Sequence, residues 1–233
     1  MDEINPIARR MKRISYFKNF SDGDLLTILR AGSIRRFAAG KTIFYEGDPS
    51  FGLGVLLKGE VHLYKLGPRG QENIIAVVKP VIMFNEISAI DGDENPETAV
   101  AFKNSIIWNA SPEAFKMGLD RFPGLGLGLL PVLARRNRRL ISKYADLSFR
   151  PVSERVALLL LNLSDHGRKE IERKDNSIQQ MAALVATDPV VISRKLGEFR
   201  EEGLIESNRL KILVIRPDKL AEMAMLEKET ILI

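Results

Sequence analysis

The sequence contains no cysteine. Disulfides, iron–sulfur ligation and thiol-based redox sensing are therefore excluded. Its two histidines, His62 and His166, are too few to build a protein-only zinc site. Long hydrophobic runs are also missing. The longest clean one, Val156-Ala157-Leu158-Leu159-Leu160-Leu161, falls far short of the roughly 18–20 apolar residues that cross a bilayer. The N-terminus, Met1-Asp2-Glu3-Ile4-Asn5-Pro6, does not have the shape of a signal peptide. A cytoplasmic protein without a membrane partner is expected. No nucleophile–base pair, Walker-type loop or metal cluster stands out, so neither catalysis nor a cofactor is expected.

What is present is a chain of 233 residues, enough for one large domain or two ordinary ones. A formal charge of +5 fits a polyanionic partner only weakly. Residues Ile7–Ile14 read as a basic helix, with Arg9, Arg10, Lys12 and Arg13 on a solvated face. Ser21-Asp22-Gly23-Asp24 resembles a capping box and starts a short helix that Gly32 would end. Short segments rich in β-formers follow: Ile34–Phe37, Lys41–Tyr45, Gly54–Leu57, Val61–Leu66, Glu72–Val78, Thr98–Phe102 and Ser105–Ala110. Glycine turns, Lys58-Gly59 among them, separate these segments and predict a β-barrel-like domain over residues 33–110. Alternation along its strand places His62 opposite its apolar neighbours, facing outward.

Ser111-Pro112-Glu113 opens a further helix. Gly124, Gly126, Gly128 and Pro131 then disfavour an unbroken one. Beyond them Leu133, Leu140 and Leu147 fall seven apart, with Leu130, Asn137 and Tyr144 on the partner positions. This is a dimer-type seam with one polar residue to set register. Arg135, Arg136, Arg138, Arg139 and Lys143 decorate that helix, mostly as a solvated flank. Phe149-Arg150-Pro151 breaks it.

The segment Ser177–Ile205 reads as helix, tight turn, helix. Ile178, Met181, Ala182 and Val185 line one apolar face, and Ile192, Leu196 and Phe199 line the other. Asp188 is a good cap, Pro189 a good first residue and Gly203 a good stop. A hairpin over Leu204–Glu206 and Leu210–Ile215 and a last helix over Pro217–Met225 complete a winged helix-turn-helix. The apolar tail Thr230-Ile231-Leu232-Ile233 carries no functional indication.

The glycine-punctuated β-roll, Phe84-Asn85-Glu86-Ile87-Ser88, the dimer-type helix and the winged helix-turn-helix occur in that order. Gly40, Glu46-Gly47-Asp48, Lys58-Gly59-Glu60-Val61, Leu184-Val185-Ala186-Thr187 and Ile192-Ser193-Arg194 add further matches. Together they resemble the Crp/Fnr family of bacterial transcription regulators, over about residues 15–225. The resemblance implies an α+β chain in three parts. These are a cyclic-nucleotide-binding-like β-roll (1–122), a long dimerisation helix (123–149) and a winged helix-turn-helix (150–233). It also implies a homodimer acting on a palindromic operator in double-stranded DNA, an effector of unknown identity and RNA polymerase as a further partner. The alternative is a ligand-sensing or protein-docking module whose helix-turn-helix no longer reads DNA.

The family's pocket uses a glutamate for the ribose hydroxyl and an arginine for the cyclic phosphate. Glu86 stands at the first position; the second falls on Asn95 or Glu97, neither of them basic. The implied effector pocket comprises Phe84, Asn85, Glu86, Ile87, Ser88, Asn95, Glu97 and Thr98. Between Lys79 and Lys103 there is no lysine or arginine. Where nucleotide-binding members set hydroxyl residues on the dimer helix, this chain has Leu140 and Ile141. Weak or absent binding of cyclic AMP and cyclic GMP is therefore expected. Asp91-Gly92-Asp93-Glu94-Asn95 begins like a calcium loop, but Pro96 and Phe102 stand where glycine and glutamate are needed. At the DNA end the candidate contacts are Gln179, Thr187, Asp188, Pro189, Val190, Ser193, Arg194 and Lys195, with Arg209 and Lys211 in the wing. Arg194 suits guanine O6/N7 and Val190 a thymine methyl. From Pro151 onward acids and bases nearly cancel, so this end is not strongly basic.

Overall fold

A computed structural model describes residues 4–12, 14, 17, 20–67, 70 and 72–225. The chain divides into two compact units. The first holds residues 1–65 and 75–138; the second holds 66–74 and 139–233. The apolar tail at 230–233 lies outside the described residues.

The first unit begins with α1 (Ile4–Met11) and α2 (Asp22–Arg30). Ser21 caps α2 by accepting from the Asp24 N–H at 3.1 Å. The helix ends at Ala31, whose conformation is right-handed. Gly32 therefore has a packing role instead of a stop role: a Cβ there would lie 2.5 Å from the Trp108 ring.

The roll consists of β1 (Ser33–Phe37), β2 (Thr42–Phe44), β3 (Leu53–Leu66), β4 (Glu72–Val78), β5 (Ile82–Phe84) and β6 (Thr98–Ala110). The spatial order is β1-β6-β3-β4, with β2 also on β6 and β5 also on β3. Pairing is antiparallel, with Val55 opposite Trp108 and Gly54 opposite Phe84. Two pairs of predicted strands are each one long strand. Gly59 is not a turn between strands; it bends β3 in place, with φ +97° and register shifts around it. Its α-carbon hydrogen faces Ser105 Oγ and the Asn104 carbonyl, where a Cβ would come within 2.5 Å. Glycine is the only residue that accepts both that φ and that approach.

Inside the roll, Phe44, Phe51 and Phe84 form an aromatic group with centroids 5.2–6.4 Å apart. A second core packs the helices on the roll through Met11, Leu25, Leu53, Trp108 and Phe115. Between β5 and β6 the chain forms one short helix, α3 (Glu86–Asp91). After β6 come α4 (Pro112–Arg121), capped by Ser111, and α5 (Pro123–Phe149). α5 is unbroken over 27 residues with Pro131 inside it, contrary to the break that its glycines and proline suggested. Side-chain packing at Leu125 and Leu129, both 3 % exposed, outweighs weak helix propensity.

In the second unit, α5 stops at Phe149 and α6 (Val152–Leu163) begins behind Pro151. A short strand β7 (Ile171–Glu172), α7 (Ile178–Val185), α8 (Pro189–Glu201), β8 (Ile205–Ser207), β9 (Lys211–Val214) and α9 (Pro217–Met223) follow. The sheet order is β7-β9-β8, so the expected hairpin gains a third strand. Val156, Leu160, Met181, Ile192, Phe199 and Ile212 form the core of this unit.

Candidate effector pocket and nucleic-acid interface

The pocket segment starts at Asn85, which has φ +60°, a left-handed conformation that asparagine tolerates better than most residues. This turn buries Phe84, Asn85, Glu86 and Ser88, all 4 % exposed or less. Ile87 is corrected: it is 51 % exposed and does not join them, because neighbours on the one-turn helix α3 point apart.

Asn95 is 2 % exposed and its amide is fully used. Its Oδ1 accepts from the Phe51 N–H at 2.9 Å, from Asn85 Nδ2 at 3.0 Å and from Ser88 Oγ at 3.5 Å. Its Nδ2 donates to the Tyr45 and Pro49 carbonyls at 3.3 and 3.0 Å. Ser50 Oγ donates to Ser88 Oγ at 2.9 Å and extends the network. Thr98 is half-buried and accepts the Glu46 N–H at 3.0 Å. Glu97 is half-buried too. Burial raises its pKa and Glu46 adds to the rise, which Lys65 opposes. Asp91 and Asp93 accept backbone N–H groups of Asp93 and Glu94, the local bonding of a turn.

The cation that the pocket segment lacks comes from α5. Arg136 donates to the Glu86 carboxylate and to the Met83 carbonyl. The reading of Arg136 as solvated flank is thus corrected. Nothing local could reveal the pairing, since 50 positions separate the partners. Lys143 is corrected likewise: it is half-buried, burial lowers its pKa, and it donates to the Ile74 carbonyl at 2.8 Å.

His62 is also corrected. It is 4 % exposed and stacks on Phe102 at 4.3 Å. Its Nε2 lies 2.8 Å from Glu60 Oε1 and its Nδ1 lies 3.2 Å from the Tyr64 hydroxyl. Both faces of this strand are covered, so alternation did not put its polar residue in solvent. Burial lowers the His62 pKa, against the bond and charge of Glu60.

Along α5 the exposed large apolar residues include Leu127, Leu130, Leu140, Ile141, Tyr144 and Phe149, with Asn137 exposed among them. Leu147 is 38 % exposed and Leu133 is half-buried. A straight helix drifts about 20° per heptad. The exposed stripe accordingly runs through Leu130, Asn137, Ile141 and Tyr144.

In the second unit, Asp188 caps α8 by accepting from the Val190 N–H at 2.7 Å. With Ile192, Leu196 and Phe199 buried, the outer face of α8 presents Val190, Ser193 and Arg194. Gln179 and Asp188 are exposed, while Thr187, Pro189 and Lys195 are half-buried beside them. Lys195 pairs with Glu198 at 2.6 Å and Arg194 lies 3.8 Å from the same carboxylate. In the wing Asn208 Oδ1 accepts the Leu210 and Lys211 N–H groups at 2.7 and 2.9 Å, holding the tip. Arg209 is exposed there, and Lys211 pairs with Glu170 at 2.7 Å. Sequence reading missed Arg173, whose guanidinium donates to Ser207 Oγ at 3.0 Å and braces the wing.

A β-roll, a long helix and a winged helix-turn-helix in this order define a DNA-binding regulator. The family models agree: one described as cyclic nucleotide-binding domain matches residues 34–122, and one described as Crp-like helix-turn-helix domain matches residues 154–223. The chain is 32 % identical over 171 residues to the cyclic AMP receptor protein of Thermus thermophilus, covering 73 % of this chain and 78 % of that protein. It is 28 % identical over 229 residues to the CRP-like cAMP-activated global transcriptional regulator of Mycobacterium tuberculosis, covering 96 % of this chain and 100 % of that protein. The structure of the c-di-GMP responsive global regulator CLP of Xanthomonas campestris has the same fold. Its TM-score is 0.74 at 19 % identity, covering 83 % of this chain and 99 % of that one. This protein belongs to the Crp family of DNA-binding transcription regulators. Among the described residues no helix is long and apolar enough to cross a membrane.

Proposed function

We propose that the protein is a homodimeric transcription regulator that reads a palindromic operator and does not respond to cyclic AMP. The saturated Asn95 amide carries the second half of this reading. Of the two positions where the resemblance sets the phosphate-binding arginine, Asn95 is a buried residue with no donor left to give, and Glu97 is a carboxylate. A phosphate there would lose a charge-assisted partner worth about 1.5–3 kcal/mol per bond. A ribose hydroxyl would also have to compete with Arg136 for Glu86. Calorimetry with cyclic AMP and cyclic GMP is expected to give no saturable heat; a tight titration with either overturns the reading.

The stripe Leu130, Asn137, Ile141 and Tyr144 supports pairing of two α5 helices. Two α8 helices would then enter successive major grooves about 34 Å apart. Arg136 itself joins the pocket segment to α5, which fits a constitutive state or one that an effector other than a cyclic nucleotide shifts. Selection on random DNA is expected to return one preferred palindrome whose binding weakens with salt. Absence of any preferred sequence would favour a module that no longer reads DNA.

A further inference from the structure

The first unit contains a cavity that no residue of the pocket segment lines. It has a volume of about 270 Å³ and lies among α2, α4, β6 and the start of α5. Its walls are mainly apolar: Ile28, Leu53, Phe115, Phe122 and Leu125 line it together with Trp108, the only tryptophan of the chain. Three polar groups reach the lining, and two are already spent. The Trp108 indole N–H donates to the Leu29 carbonyl at 3.0 Å, and the Thr27 hydroxyl donates to the Gly23 carbonyl at 3.0 Å. The third is Arg121. It is exposed, lies 5.5 Å from the Phe122 ring centroid and is paired with no carboxylate among the described residues.

We infer that this cavity is a binding site for a small amphipathic carboxylate, with the chain or ring inside and the carboxylate on Arg121. The physical case has three parts. An apolar enclosure of this size removes a small molecule's hydrocarbon surface from water. The lining offers no unspent hydrogen-bonding group deep inside, so a nucleobase or sugar would lose its water bonds without replacement. The guanidinium at the rim has five donors in a planar fork suited to a carboxylate. Occupancy would touch Phe122 and Leu125, the junction of α4 with α5. The site is independent of how the chain dimerises or reads DNA.

The test is a titration of the full chain with decanoate and, separately, with decanol, below micelle formation, followed by the fluorescence of Trp108. Decanoate is expected to give a saturable change, and decanol to bind at least about tenfold more weakly. Gly118→Leu fills the space: a Cβ at Gly118 meets nothing within 4 Å, and leucine favours the helix. It is expected to abolish the response while the circular dichroism spectrum stays unchanged. Arg121→Gln, a surface change, is expected to weaken decanoate about tenfold and leave decanol unaffected. No saturable response to either compound, a response undiminished in Gly118→Leu, or equal binding of decanol and decanoate overturns the inference.

Discussion

Arg136 donates from α5 to the buried carboxylate of Glu86 and to the carbonyl of Met83. The pocket segment is thereby tied to the long helix by the protein's own guanidinium. Arg136→Ala leaves a carboxylate that is 4 % exposed without its charge partner. The expected loss is about 1–3 kcal/mol, because the arginine side of the pair is itself partly solvated. Urea unfolding of Arg136→Ala, Glu86→Gln and the double variant measures it. The double variant is expected to lose less than the sum of the two.

Asn95→Ala removes the acceptor for the Phe51 N–H and for Asn85 Nδ2 in one step. A cost of about 2–4 kcal/mol is expected from the unsatisfied groups and the void. Thermal unfolding checks it. Asn95→Asp should be no milder, since it sets a carboxylate oxygen against the Tyr45 and Pro49 carbonyls in a buried site.

Glu198 neutralises Lys195 and lies near Arg194 on the exposed face of α8. Glu198→Gln is expected to tighten DNA binding and to steepen its salt dependence, because two cations become available to the polyanion. Arg194→Ala is expected to cost about 1–3 kcal/mol and to relax the preference at one base pair. Fluorescence anisotropy on operator variants at several salt concentrations separates the two effects. A uniform loss across all sequences would make Arg194 a phosphate contact.

His62 gives the first unit a pH dependence. Its folded pKa is lowered from 6.5 by burial, against Glu60, while Lys103 and Lys79 add to the lowering. The unfolded chain therefore binds this proton more readily than the folded one. Stability is complete above pH 6.5 and falls as the pH drops from there through the lower folded value. Thermal unfolding between about pH 7.5 and 5 is expected to show this slope, and His62→Gln is expected to flatten it. A raised melting temperature of the wild type on acidification would contradict the sign.

Gly59→Ala is expected to destabilise by about 2 kcal/mol or more. A side chain at φ +97° is strained, and its Cβ would meet Ser105 Oγ at 2.4 Å. Chemical unfolding measures the effect. Gly40→Ala, where φ is +79° but nothing lies within 4 Å, isolates the backbone part and should cost less.

What could be read from the chain by itself was local and periodic. The caps at Ser21, Ser111 and Asp188 announce helix starts, because a side chain satisfies an N–H two or three residues away. The faces of α7 and α8 follow from spacing. Gly59 was legible as special, but its use was not: whether a left-handed glycine turns a chain or bends a strand depends on the strand beside it, here at Ser105. His62 faced inward because Phe102 covers it. Pro131 stayed in a helix whose preceding turns are packed at Leu125 and Leu129.

The order of the parts and the absence of a basic residue from Lys79 to Lys103 were fixed at the level of sequence. Only the tertiary structure decided that Arg136 supplies the missing charge and that Asn95 has no hydrogen bond left to offer. Both depend on partners dozens of positions away, and pairing at that distance is set by packing, which no local pattern encodes.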